Sequence, residues 1–197
     1  MTKFAPELVV EQPGGRSPAP DELALVQAFV NTLDVEGGTD SLSEPTALRD
    51  WLSRARLLED EPSVLEGDVQ RAIGVREALR SLLMSNNGAP ASAAAHALLN
   101  RAAEAALLTV RFDERTPRPR LVASAPGVDG ALGMLLTIVV VAAQDGTWTR
   151  LKACKRDACR WAFYDRSKGG SGTWCSMSVC GNRAKVGDYR RRRRARR

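Results

Sequence analysis

The sequence predicts an α+β chain: a mainly helical N-terminal domain with a short β-hairpin, followed by a small cysteine-bearing unit and a basic C-terminal helix. Three observations predict it. Four stretches between residues 21 and 107 repeat apolar side chains at helical spacing, two short alternating stretches follow across the breaker ERTPRP, and all four cysteines lie between 154 and 180. With 197 residues and 44% hydrophobic content, the chain can bury a real core. The expected organisation is a flexible N-terminal segment at 1–20, an α+β domain at 21–150 and a cysteine unit at 151–197.

Residues 1–20 contain PGGRSPAP and read as a mobile lead-in, ending where Asp21 can cap a helix. In DELALVQAFVNTLD, Leu25, Ala28, Phe29 and Leu33 share one helical face, and Gly37-Gly38 follows. The second helix, SEPTALRDWLSRARLL, has Ser43 as its cap, Pro45 in the first turn and a stripe of Leu48, Trp51, Leu52 and Ala55. The third carries Val69, Ile73, Arg76/Glu77, Leu79/Arg80 and Leu83 at helical spacing and stops at Asn87-Gly88. The fourth is the alanine-rich APASAAAHALLNRAAEAALL. LLTVRFD and RLVAS alternate and predict the hairpin. Length makes GVDGALGMLLTIVVVAAQDG a buried helix rather than a strand; its apolar run is too short to span a bilayer, and with no signal-peptide pattern the expected location is cytoplasmic. TWTRLKAC predicts a strand leading to the cysteines, and RSKGGSGT an internal loop.

The cysteines fall as Cys154-x4-Cys159 and Cys175-x4-Cys180 with fifteen residues between the pairs. Four thiols clustered in a reducing compartment point to metal, and two close pairs across a linker can place four sulfurs at the corners of a tetrahedron. Zn²⁺ is the favoured ion, one per chain. An iron–sulfur cluster can also use four thiolates, whereas C-x-x-C redox spacing is absent. Four thiolates leave no open coordination position, so the metal is expected to be structural. Trp161, Phe163, Tyr164, Trp174 and Met177 supply apolar mass to a treble-clef-like finger in which Cys175 and Ser176 begin a helix carrying Cys180. Because the N-terminal core is not expected to include this site, chelation should unfold the finger alone.

The net charge of +6 hides an asymmetry. Residues 1–151 hold 14 Lys/Arg against 20 Asp/Glu, whereas residues 152–197 hold 15 against 3. One acidic and one strongly basic end predict a polyanionic partner for the latter. Asn182, Arg183, Lys185, Arg190, Arg191, Arg193 and Arg194 are the candidate nucleic-acid contacts, since Arg pairs with phosphate and guanine and Asn with adenine.

The stretch WCSMSVCGNRAK closely resembles the CGNR zinc-finger family, whose name is the motif Cys180-Gly181-Asn182-Arg183, and CRWAFYDRSKG fits the same pattern. FVNTLD at 29–34 resembles the opening of the ABATE domain that precedes such fingers. The resemblance implies a bacterial stress-induced transcription regulator whose finger binds zinc and DNA and whose N-terminal domain senses a ligand. Family members often carry arginines where this chain has Ser171-Gly172-Thr173; the arginines at 190–194 could replace those phosphate contacts.

An enzyme is not expected. The single histidine, His96, has no nucleophile motif beside it, and Gly127, Gly130 and Gly133 form no phosphate loop. The leading reading is a DNA-binding regulator without a membrane segment, its acidic domain sensing a small molecule or pairing two copies into a homodimer. The rival is a zinc-scaffolded module that docks its arginines on RNA or on an acidic protein.

Overall fold

The structure, a computed structural model, describes residues 12–58, 63–114 and 116–187. Its elements are helices α1 (Leu23–Val30), α2 (Pro45–Arg54), α3 (Glu66–Ser85), α4 (Ala93–Ala105) and α5 (Gly127–Gln144), and strands β1 (Leu33–Asp34), β2 (Thr39–Asp40), β3 (Leu108–Asp113), β4 (Thr116–Ala123), β5 (Leu151–Ala153) and β6 (Ala162–Tyr164). The strands pair as three separate antiparallel hairpins, β1 with β2, β3 with β4 and β5 with β6. Mainly helical, with small strand pairs and a cysteine cluster at 154–180, the fold has the α+β class expected.

The core forms where the apolar stripes of α1, α2, α3 and α5 meet. Phe29, Leu48, Leu52, Leu79, Leu83 and Leu135 are fully buried there, and Phe29 lies 5.3 Å from Trp51, ring centre to ring centre. Helix α5 is the one described helix with the length and composition to cross a membrane, but half of it is buried inside this core.

Several helix ends differ from the sequence reading. Glu22, not Asp21, precedes α1 and makes no side-chain cap, and Asp21 turns the chain in a left-handed conformation with φ 49°. Leu33 belongs to β1, because α1 stops at Val30, where Thr32 Oγ1 donates to Phe29 O (2.7 Å) and Arg80 Nη2 donates to Val30 O (2.7 Å). Glu44 rather than Ser43 precedes α2, and Pro45 starts it. The strand foreseen in TWTRLKAC begins with a 3₁₀ turn at Trp148–Arg150 and is extended only over Leu151–Ala153.

Gly88, at φ 88°, follows the end of α3 as the Asn87-Gly88 signal predicts. The asparagines before it add tertiary bonds. Asn86 Nδ2 donates to the carbonyls of Trp148 and Leu151 at 2.9 Å each, and Asn87 Nδ2 donates to Ala153 O at 2.8 Å and Thr173 O at 2.9 Å. The end of α3 thus grips both the strand before the first cysteine pair and the loop before the second.

A metal centre built onto the helical body

Hairpin β5–β6 has two faces with different partners. Leu151, Ala153, Ala162 and Tyr164 join the main core, while Phe163 packs with the four cysteines, flanked by Trp161 and Trp174. Period-two alternation therefore puts the helical core and the metal cluster on opposite sides of one β-ribbon. Asn31 clamps that ribbon with a reciprocal pair, Nδ2 to Ala162 O (2.9 Å) and Ala162 N to Oδ1 (2.7 Å); Gln27 Nε2 adds a bond to Ala162 O (3.0 Å).

The cysteines are all buried and unbridged, and their sulfurs lie within 4.8 Å of one another. Cys175 Sγ is 3.6 Å from Cys159 Sγ and 3.6 Å from Cys180 Sγ. A tetrahedron with Zn–S bonds of roughly 2.3 Å has edges of roughly 3.8 Å, so the donor set and its spacing fit one Zn²⁺. Cys154, Cys159, Cys175 and Cys180 would hold it, and the metal would staple two chain segments without offering a position for substrate.

Local backbone geometry prepares each pair. Cys154 N donates to Trp161 O (2.9 Å), Cys159 N donates to Arg156 O (2.9 Å), and Arg160 turns the chain out at φ 51°. In the second pair Ser176 accepts a bond from Val179 N, and a π-type turn at Met177–Gly181 carries Cys180 into a helical segment at 182–187. A Cβ on Gly181 would meet Trp174 Cδ1 at 3.2 Å and Met177 Sδ at 2.5 Å. The absence of a side chain here lets the turn pack closely against Trp174 and Met177.

Among the sulfurs, Cys154 is drawn toward the thiolate by hydrogen bonds from Cys159 and Cys175, whereas those two thiols are held protonated first by the hydrogen bonds they donate to Cys154 and further by burial and by the charge on Cys154. Divalent metal supplies the compensating charge that lets all four ionise, so acid competes with zinc.

The loop between the pairs is set by a buried ion pair. Lys152 Nζ donates to Asp165 Oδ2 (2.9 Å), to Gly172 O (3.1 Å) and to Gly170 O, while Asp165 accepts from Ser167 N (3.0 Å) and Gly172 N (2.6 Å). Burial raises the Asp165 carboxyl pKa, but the bonds from Ser167, Lys152 and Gly172 outweigh it and bring the value down to about 2. The folded pKa is depressed, so the stabilisation is present above the ordinary value of 3.8 and fades as pH falls toward 2. Asp165→Asn strands a buried lysine charge and is expected to cost about 3–5 kcal/mol at pH 7. Denaturant unfolding of the zinc-loaded protein checks this, and an unchanged midpoint would count against it.

Residues 12–20, expected from Pro and Gly content to be a loose lead-in, lie against this unit. Gln12 Oε1 accepts from Gln27 Nε2 (2.8 Å) and Trp161 Nε1 (3.3 Å). Arg16 stacks 5.2 Å from the Phe163 ring centre and donates to Trp174 O (3.3 Å). Gly14, at φ 76°, lies where a Cβ would meet Ser176 Oγ at 2.9 Å. A cleft of about 520 Å³ remains between this turn, the β1–β2 turn and the cysteines.

Of the candidate nucleic-acid contacts, Asn182, Arg183 and Lys185 are exposed on the 182–187 segment. Asn182 Nδ2 donates to Ser178 O (3.1 Å). Arg190, Arg191, Arg193 and Arg194 lie outside the described residues. Sequence reasoning missed Glu36, whose carboxylate takes Arg156 Nη1 at 2.7 Å and Arg183 Nη1 at 2.5 Å. The bond from Arg156, with help from Arg183, holds the Glu36 carboxyl below its ordinary pKa. It also missed Arg156, which lies between Glu36 and the Cys180 sulfur, 4.0 Å away.

Fold and site together define a zinc-finger protein whose finger shares a β-ribbon with a helical body. The CGNR zinc-finger model matches residues 150–193, and the ABATE model, described as "Putative stress-induced transcription regulator", matches residues 9–158. The chain belongs to the ABATE family, with a CGNR finger at its C-terminal side. Comparison with curated proteins finds no similar sequence.

Proposed function

We propose that the protein is a DNA-binding transcription regulator in which zinc fixes the base of a cationic recognition segment. The supporting observation is that the metal-anchored turn at Met177–Gly181 runs directly into a helical segment bearing Asn182, Arg183 and Lys185, after which the sequence supplies five consecutive arginines. A closed four-thiolate site has no free coordination position, which favours binding over catalysis. Four reduced cysteines suit a reducing cytoplasm.

The helical body would supply regulation. A largely apolar cleft of about 420 Å³ between α3, α4 and α5, lined in part by Val75, Leu98 and Leu132 together with Arg71 and Arg101, supports the ligand-sensing reading.

Replacing Arg190, Arg191, Arg193 and Arg194 together by Gln tests the DNA reading. The slope of log affinity for duplex DNA against log salt should flatten by about 0.9 for each phosphate that the tail no longer neutralises. An unchanged slope would remove the tail from the interface. Equal affinity for single-stranded RNA and duplex DNA would favour the rival, a zinc-scaffolded RNA- or protein-interaction module without sequence-specific DNA binding.

A further inference from the structure

The β1–β2 turn is built to present one carboxylate. Asp34 Oδ1 accepts from Glu36 N (3.0 Å) and Gly37 N (2.9 Å), Gly38 N donates to Asp34 O (2.8 Å), and Gly38 takes φ 69°. At Gly37 a Cβ would meet Asp34 Oδ2 at 2.5 Å, so the tight DVEGG turn depends on small residues as well as on the aspartate. Glu36 projects from this turn, and its two oxygens are divided between two arginines, Oε2 to Arg156 and Oε1 to Arg183.

Those arginines come from different cysteine pairs. Arg156 lies between Cys154 and Cys159, and Arg183 follows Cys180 by three residues. The metal cluster therefore sets the distance between two guanidinium groups, and together they take one two-oxygen anion. A phosphodiester presents two non-bridging oxygens of the same kind to such a fork.

We propose that Arg156 and Arg183 form a phosphodiester site for the nucleic-acid backbone, which the Glu36 carboxylate occupies in the free protein, so that the N-terminal body competes with nucleic acid for the finger. The inference rests on the DNA-binding reading above and adds to it a site and its internal competitor. Exchange is feasible because the pairs are partly exposed: Glu36 retains 41% and Arg183 53% of side-chain accessibility. Exposed ion pairs are weak and are readily replaced by a phosphate that brings neighbouring interactions. Arg156 is the more covered partner, at 24%, and its Nη1 lies 4.0 Å from the Cys180 sulfur, a contact that does not depend on Glu36.

The test uses the zinc-loaded full chain and a fluorescent duplex of random sequence at two salt concentrations. Glu36→Gln should tighten binding about tenfold at low salt, and less at high salt. Glu104→Gln, on helix α4, makes the same change in net charge at an exposed position and should alter affinity by less than about twofold. In an Arg156→Gln/Arg183→Gln background, Glu36→Gln should gain nothing. If Arg156→Gln reduces zinc content, Arg183→Gln alone serves as the background and should remove most of the gain. Equal gains from Glu36→Gln and Glu104→Gln, or a gain that persists without the arginines, would overturn the competition while leaving DNA binding intact. Absence of binding by both wild type and Glu36→Gln at the lower salt would sink the DNA reading itself and this site with it.

Discussion

Cys175→Ser is expected to abolish stoichiometric zinc and to lower the melting temperature of the helices, not only of the finger. The reason is the shared ribbon: Leu151, Ala153, Ala162 and Tyr164 belong to the same core as Phe29 and Leu79, while Phe163 on the opposite face packs with the cysteines. Structural zinc contributes on the order of 10–16 kcal/mol in isolated finger peptides, comparable with the whole stability of a typical domain. Even if only about 5 kcal/mol is transmitted through β5–β6, about 2–4 °C per kcal/mol gives a fall of about 10–20 °C. Zinc analysis with helical circular dichroism during heating measures both. The sequence reading expected the helical domain to survive chelation untouched; helices that melt at the wild-type temperature after zinc is lost would restore that view and refute this one.

The metal was legible because its signal is local. Four thiols in two x4 pairs announce a metal ligand set without reference to the rest of the chain, and the CGNR motif marks the second pair. The helices were legible for a similar reason, since stripes such as Leu48, Trp51 and Leu52 repeat at 3.6 residues and are buried as that period requires. What joins the two was hidden. Asn31, Gln27, Asn86 and Asn87 act through backbone carbonyls more than fifty residues away, and no periodicity marks a polar side chain as a clamp. Glu36 was hidden differently: in sequence it is one acid in a glycine turn, and only the fold brings it to Arg156 and Arg183. A partial signal existed for the buried arginines of α3. Arg76 and Arg80 sit in register with Val69, Leu79 and Leu83, so the helical spacing already put two cations on the face that packs inward.

Arg80→Ala is expected to weaken both the body and the finger, because this one side chain holds atoms of each. It is 2% exposed, and its guanidinium donates to Val30 O at the end of α1 (2.7 Å), to Arg160 O just after Cys159 (3.0 Å) and to Glu77 (3.0 Å). Burial pulls its pKa down, and the Glu77 carboxylate opposes that pull. Alanine would leave two carbonyls without their charged donor and a void between α3 and the first cysteine pair. Glu77 keeps its bond from Arg76 and is partly exposed, so the cost comes from the two carbonyls, at about 1–3 kcal/mol each or about 2–6 kcal/mol together, which is about 4–24 °C in melting temperature for a chain of this size. Arg160 occupies the left-handed region at φ 51° and ends the Cys154–Cys159 loop, so losing the bond to its carbonyl should also let that loop open more readily. Zinc transfer to excess chelator should then be several-fold faster than in wild type. Arg80→Lys keeps the charge but cannot span both carbonyls in a planar fork, and it should fall between the two. If Arg80→Ala melted lower yet released zinc at the wild-type rate, the arginine would be a support of the helices alone; if neither quantity moved, the bonds from Arg80 would not couple the two parts.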